Sequence, residues 1–133
     1  MGDPVTTSPP SRVDLTGEAA ELLRRLTTEH GPLMFHQSGG CCDGSAPMCY
    51  PDGELIISAA DVHLGDLDIG LARPIPVYMA KFQFEYWKHT HLTIDVTPGR
   101  GSGFSIEAPL GVRFFIRSRL LTDDEYRLAS TIV

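Results

Sequence analysis

The sequence has few cysteines, no long hydrophobic run and no excess of positive charge. Its 133 residues contain three cysteines, an odd number that does not suit the disulfide framework of a secreted domain. No apolar run is long enough to span a bilayer, and the N-terminus lacks the apolar segment of a secretory signal. The 11 basic and 17 acidic side chains give a net charge of −6, which repels phosphate backbones. We therefore expect a cytoplasmic protein that binds neither membranes nor nucleic acid.

The composition is that of one globular domain. Hydrophobic residues make up 42% of the chain and charged residues 21%, which is ordinary for a folded protein. Residues 1–12 carry prolines among small polar residues and predict a disordered tail. Residues 13–133 are then expected to form a single domain. The cysteine pattern within it predicts that this domain binds a metal.

Helix signals lie near both ends of the chain, with strand signals between them. Thr16 is a predicted N-cap for a helix that stops at Gly31 and Pro32. Thr122–Glu125 has the pattern of a capping box that opens a short C-terminal helix. The fold class is therefore predicted to be α+β, a β-rich domain of short mixed strands with a helix at each end. Strands are predicted at residues 33–36, 55–58, 75–79, 92–96 and 112–120.

The strand at 75–79 and the aromatic stretch that follows it predict an oligomer. Pro74 and Pro76 lack a backbone N–H, which favours an edge position for this strand. Residues 82–87 hold four aromatic side chains in a pattern that fits either a strand or a short helix. An edge strand next to exposed aromatic residues could form a dimer seam, so we expect a homodimer.

The densest group of reactive side chains lies between His36 and Cys49. Cys41, Cys42 and Cys49 fall in a glycine-rich stretch with His36 at its entrance. Thiolates suit zinc, copper(I) and iron–sulfur centres, and the glycines would let the backbone curl so that adjacent cysteines reach one ion. The alternative interpretation is that the cysteines are small buried hydrophobic residues. Three cysteines in such a loop favour metal or thiol chemistry.

Two histidines elsewhere could complete a mixed sulfur and nitrogen site. His89 and His91 point to the same side of an extended chain and could bind one ion, although a solvated turn is the alternative. Asp43 would lie behind the ligands and orient a histidine. His30, at a helix C-terminus, and His63, in a predicted turn, are expected to be structural. The predicted metal ligands are Cys41, Cys42, Cys49, His89, His91 and His36.

A glycine run and a set of alternating arginines are two further patterns in the C-terminal part of the chain. The glycine run at 99–103 has neither the spacing nor the following helix of a nucleotide-binding loop, so it predicts a tight connection between strands. Arg113, Arg117 and Arg119 alternate along a predicted strand and could grip a carboxylate or an acidic partner. A solvated outer face is the favoured interpretation of these arginines.

Three segments together carry a resemblance to a known family. They are His36–Cys49, with its pattern H-Q-S-G-G-C-C-D-G-S-x-P-M-C, Tyr86–His91 and Gly99–Ser105. The chain resembles, over about residues 12–126, a family of small bacterial proteins of unknown function. That family is typically encoded beside NAD-dependent acetaldehyde dehydrogenases. The resemblance implies an association with aldehyde or alcohol oxidation, and an NAD-dependent aldehyde dehydrogenase as a partner.

The order of elements is also similar to that of the A-type iron–sulfur carriers, which have the HesB-like fold. Gly39–Cys41 resembles their Gly-Gly-Cys loop, Leu92–Val96 an apolar strand and Gly101–Pro109 a turn of that family. The carriers close with a Cys-Gly-Cys tail, whereas residues 113–120 here contain no cysteine, so only Cys41 matches a carrier ligand. The resemblance implies a HesB-like arrangement and gives some support to iron.

Three functional hypotheses follow. The first is a small metal-binding accessory protein that is not itself an enzyme. Its expected metal is zinc or iron, with copper a less favoured choice, and a single ion is favoured over an iron–sulfur cluster. The second is a thiol-dependent redox or aldehyde-handling enzyme with Cys41 or Cys42 as the nucleophile. The third is a structural partner or chaperone of an aldehyde dehydrogenase.

Overall fold

Two β-sheets and three α-helices form the part of the chain that the computed structural model describes, residues 12–37, 46–99 and 105–130. The strands are β1 Val13–Leu15, β2 Leu33–Gln37, β3 Met48–Pro51, β4 Asp61–Leu67, β5 Ile75–Ala80, β6 Thr90–Pro98 and β7 Val112–Leu120. The helices are α1 Gly17–His30, α2 Lys81–Trp87 and α3 Asp123–Ser130, with a short 3-10 helix at Ala108–Leu110. The predicted α+β class is confirmed.

Arg12 is the first residue that the structure describes. Residues 1–11 of the predicted tail fall outside the described residues. Arg12 itself is buried, lies over the ring of Phe84 and donates a hydrogen bond to the carbonyl of Lys88. No helix in the described ranges has the length and hydrophobicity needed to cross a membrane.

Helix α1 begins and ends where its capping residues predict. The Thr16 hydroxyl accepts a hydrogen bond from the backbone N–H of Ala19 at 3.2 Å, which satisfies one of the unpaired donors of the first turn. Gly31 follows the helix with a φ of 81°, and its N–H bonds to the carbonyl of Thr27 at 2.8 Å. A left-handed φ of this kind favours glycine, so the residue type explains the stop.

The two sheets pack face to face around one core. The first has the order β1-β6-β7 and the second the order β3-β2-β5-β4. Phe35 on β2 meets Phe114 on β7 edge to face, with ring centroids 5.0 Å apart and both side chains fully buried. Aromatic contacts of this geometry add to the free energy of area burial, so this pair fixes one sheet against the other.

The predicted edge position of the strand at 75–79 is wrong. β5 lies inside its sheet, parallel to β2 on one side and antiparallel to β4 on the other. The pairing with β2 begins at Val77, after Pro76, which lies opposite Asp66 of β4. β5 therefore cannot form an edge-to-edge dimer seam. The aromatic stretch is helical instead, and α2 exposes Phe82 and Tyr86 by 65% and 67%.

The strand predicted at 55–58 is also wrong. Residues 55–58 are irregular, and the N–H of Ser58 is capped by the carboxylate of Asp61 at 3.1 Å. On its other side β2 pairs with β3, Met48–Pro51, which the sequence did not mark as a strand. Pro51 and Gly53 end β3 and open the turn that follows it.

The capping box of α3 is confirmed and makes stability depend on pH. The N–H of Glu125 bonds to the Thr122 hydroxyl, and the Glu125 carboxylate accepts from the N–H of Thr122 and from Arg119. The hydrogen bond from Arg119, followed by that from Thr122, lowers the pKa of Glu125 from 4.5 to about 2.

A group with a lowered folded-state pKa stabilises the fold above its unfolded pKa and loses that effect as pH falls. We expect Glu125→Gln to be less stable than wild type at neutral pH, with a difference that shrinks as pH falls from 4.5 to about 2. Urea unfolding across this range measures it. If the difference in the free energy of unfolding stays constant down to a pH of about 2, the lowered pKa of Glu125 is contradicted.

Candidate functional site

The connection between β2 and β3 carries the predicted cysteine site. β2 and β3 are antiparallel neighbours, with Phe35 opposite Cys49 and His36 opposite Met48. Cys41, Cys42 and Asp43 belong to residues 38–45, which lie outside the described residues. The described part of the site is therefore the base of this connection.

His36 is held at that base by a buried carboxylate. Its Nε2 lies 2.7 Å from Oδ1 of Asp61, and the two side chains are only 7% and 13% exposed. The second carboxylate oxygen of Asp61 accepts the N–H of Ser58 at 3.1 Å. The hydrogen bond with His36, followed by that from Ser58, lowers the pKa of Asp61. Asp61 is therefore an ionised acceptor that fixes the orientation of the His36 ring.

A second histidine–carboxylate pair lies on the same face of this sheet. Tyr78 on β5 is in register with His36 on one side and with His63 on the other. The rings of His63 and Tyr78 are 5.2 Å apart, and His63 Nε2 lies 2.7 Å from Oδ1 of Asp66. This pair is exposed by almost half, whereas the His36 pair is buried. His63 thus lies on β4, and its predicted position in a turn is wrong.

Cys49 faces the other side of the sheet. Its side chain is fully buried in the core, opposite Phe35, and it forms no disulfide. Burial, followed by the charge of Glu107, raises the pKa of the Cys49 thiol. Thiolate, and not thiol, is the nucleophile and the metal ligand, so this environment favours the less reactive form. The prediction that Cys49 ligates a metal stays a prediction.

A buried polar network ties Cys49 to the segment before β7. The N–H of Cys49 donates to the Ser105 hydroxyl at 2.9 Å, and that hydroxyl donates to the carboxylate of Glu107. The other oxygen of Glu107 accepts the N–H of Phe114 at 3.3 Å. The pKa of Glu107 is raised, because the effect of burial is larger than the opposing effect of these hydrogen bonds. The network therefore ties β3, which follows the β2–β3 connection, to β7 of the first sheet.

The burial of Cys49 predicts low reactivity toward alkylating agents. We expect Cys49 in the native protein to react with iodoacetamide at least ~10-fold more slowly than Cys49 in the urea-unfolded chain, because the thiol is protonated and inaccessible. Peptide mass spectrometry after timed quenching measures this rate. Equal rates in the native and unfolded states would contradict the burial of this thiol.

His91 lies on β6 of the first sheet, and His89 directly precedes that strand. The ring of His89 packs against Tyr126 of α3, with centroids 4.8 Å apart. His91 begins the outer face of β6, opposite Arg119 on β7. Burial, followed by the charge of Arg119, lowers the pKa of His91. Their predicted roles as metal ligands stay predictions.

The described residues alone do not form a metal site. Within residues 12–37, 46–99 and 105–130, no group of three or more His, Cys, Asp or Glu side chains could hold an ion. A metal centre that includes His36 therefore needs ligands from outside the described ranges, and the sequence places Cys41 and Cys42 directly after β2.

Sequence reasoning missed Asp61. The contact between His36 and Asp61 crosses β5, which lies between the strand of the histidine and that of the carboxylate. No spacing in the sequence encodes such a contact, because it depends on the order of strands in the sheet.

Comparison with known proteins gives the family. A family model described as "Domain of unknown function (DUF779)" matches residues 22–120. The chain belongs to this family. The matched range includes the whole β2–β3 connection, His36 and Asp61, and it confirms the expected membership of a family of unknown function. No curated protein and no solved structure was found to match the chain.

Proposed function

We propose that this DUF779 member is a small metal-binding accessory protein that holds one zinc or iron ion through Cys41, Cys42 and His36. The observation that carries the proposal is the buried His36–Asp61 pair at the base of the cysteine-bearing connection. Histidines that ligate metals commonly bind a carboxylate through their other ring nitrogen, which fixes the ring and raises its basicity.

The chemistry of this donor set favours a soft or borderline ion. Thiolate and imidazole together suit zinc, iron and copper(I), whereas magnesium and calcium prefer oxygen ligands. Three protein ligands leave a fourth position of a tetrahedral zinc site for water or for a ligand from a partner. Such an open site suits a protein that stores or hands over an ion. Zinc and iron rank ahead of copper, and a single ion ranks ahead of an iron–sulfur cluster.

The proposed setting is the reducing cytoplasm, in association with aldehyde or alcohol oxidation. Its support is the resemblance of the cysteine segment to proteins encoded beside acetaldehyde dehydrogenases. The proposed partner is an NAD-dependent aldehyde dehydrogenase, and the exposed face of α2 with Phe82 and Tyr86 is the surface we propose for a homodimer. If dehydrogenase and chain co-purify even after all three cysteines become serine, the role is that of a structural partner or chaperone.

The same pair also favours a second candidate, a thiol-dependent redox or aldehyde-handling enzyme. A histidine oriented by a carboxylate is the base that activates cysteine nucleophiles in unrelated enzymes. Cys41 and Cys42 follow His36 closely enough in the sequence for one of them to be that nucleophile. Its thiolate would attack a carbonyl carbon or a disulfide, and His36 would accept the thiol proton.

Elemental analysis of the purified protein separates the two candidates. The metal-binding proposal expects about one equivalent of zinc or iron per chain, with thiolate charge-transfer absorption if the ion is iron. The enzyme hypothesis expects metal-free protein in which Cys41 or Cys42 alkylates rapidly. That rate should fall in His36→Gln if the histidine activates the thiol.

A further inference from the structure

The outer face of the first sheet carries alternating arginines that the proposed metal site does not use. On β7, Arg113, Phe115, Arg117 and Arg119 lie on the face opposite to the buried Phe114 and Ile116. Arg117 and Arg113 lie over the ring of Phe115, at 4.9 and 5.9 Å from its centroid. Stacking on Phe115 restricts the motion of these guanidinium groups, which reduces the entropy lost when they bind a ligand.

A small pocket opens beside these arginines. It has a volume of about 230 Å³ and is lined by His91 and Thr93 of β6 and by Arg117, Ser118 and Arg119 of β7. Pockets that bind drug-sized molecules usually measure about 300–1,000 Å³, so this one suits a small ligand. Nδ1 of His91 is screened from solvent and has no hydrogen-bond partner within the described ranges. Buried polar atoms of this kind commonly become satisfied when water or a ligand binds nearby.

Each of the two arginines that line the pocket is already held by one ion pair. Asp95 accepts the Nε–H of Arg117 at 2.8 Å, and Glu125 accepts both amino groups of Arg119 at 2.8 and 3.0 Å. The amino groups of Arg117 and the Nε–H of Arg119 are therefore the donors that these pairs leave for a ligand. A guanidinium can bind one carboxylate with one edge and a second oxyanion with another, because its five N–H groups point in different directions.

We propose that this pocket binds a small oxyanion, a phosphate or a carboxylate group, between Arg117 and Arg119. Thr93 lines the same pocket, and the site is independent of the proposed metal centre. The two arginine side chains are 60% and 53% exposed, so solvent and salt weaken the interaction. A dissociation constant of about 1–10 mM is expected for an isolated anion at such a surface.

Titration with inorganic phosphate and with acetate, followed by ¹H–¹⁵N NMR at constant ionic strength, tests the proposal. Saturable shifts of the amides of residues 91, 93 and 117–119 are expected with at least one of the anions. Saturation by phosphate alone identifies a phosphate site, and saturation by acetate alone identifies a carboxylate site. Shifts that rise linearly with either anion, or that spread evenly over the surface, would overturn the proposal.

Arg117→Gln and Arg113→Gln form a matched pair of variants. Both remove one positive charge from the same face of β7, but only Arg117 lines the pocket. Arg117→Gln is expected to weaken anion binding at least ~10-fold and Arg113→Gln less than ~2-fold, because a direct contact outweighs a screened long-range charge. Arg119→Gln provides a second test with the same expected loss as Arg117→Gln. Equal weakening by Arg113→Gln and Arg117→Gln would show only a general charge effect and would overturn the site.

Discussion

Zinc binding is expected to be lost when Cys41 and Cys42 are both replaced by serine. The doubly substituted chain should bind Zn²⁺ at least ~1,000-fold more weakly than wild type, because a neutral hydroxyl does not replace a thiolate ligand. Competition with a chromophoric chelator at fixed pH measures both affinities. Thermal unfolding of the metal-free variant, measured beside that of metal-free wild type, separates loss of the ion from loss of the fold.

Cys49→Ser is the matched control for this variant. It also removes one thiol, but that thiol faces the core and is kept protonated by burial and by Glu107. The stability of this variant should fall, because a hydroxyl replaces a buried thiol next to Phe35, while zinc affinity in the folded protein stays within ~3-fold of wild type. Loss of the ion on this substitution alone would place Cys49 in the ligand set.

Asp61→Asn is expected to weaken zinc binding by about 10–100-fold without removing a ligand. The amide keeps the shape of the carboxylate but not its charge, so His36 loses the ionised partner that orients its ring. The same chelator competition measures the change. His36→Gln should weaken binding at least as much, because it removes the proposed ligand itself.

The chain supplies its own control for Asp61→Asn. Asp66 makes the same contact with His63, at the same distance of 2.7 Å, but on the exposed part of this face. Asp66→Asn should leave zinc affinity within ~2-fold of wild type, because an exposed ion pair on another histidine contributes little. If Asp61→Asn and Asp66→Asn have equal effects, the change reports surface charge, and the buried pair does not orient a metal ligand.

The parts of the fold that local chemistry specifies were predictable. Thr16, Gly31 and the Thr122–Glu125 box mark helix ends because each supplies a side-chain acceptor or a backbone conformation that the helix end requires. These signals act within a few residues of each other. The α+β class followed from them, together with the alternating pattern of 92–96.

The parts that strand order specifies were not predictable. The prolines at 74 and 76 indicated an edge strand, yet β5 is interior, and its pairing with β2 begins at Val77, after both prolines. Residues 55–58 have strand-like side chains but no neighbouring strand to pair with, while β3 pairs with β2 despite a weak local signal. Pairing partners are distant in sequence, so local propensity does not decide them.

The candidate site shows the same division. The cysteines and His36 were visible as residue types in one segment, but the direction of each side chain depends on structure. Cys49 lies on a strand, and alternation places it on the core face opposite Phe35 while His36 faces the other side. Asp61 joins the site from β4 across the width of β5. A prediction from residue types alone could not separate these positions.

X-ray absorption at the metal edge of the zinc-loaded full-length chain would measure the proposed ligands directly. If Cys41, Cys42 and His36 hold the ion, the spectrum will contain two sulfur scatterers at about 2.3 Å and an imidazole nitrogen at about 2.0–2.1 Å. The sulfur contribution should vanish in the chain carrying Cys41→Ser and Cys42→Ser. A first shell made only of oxygen and nitrogen in the wild-type protein would contradict a thiolate–imidazole centre.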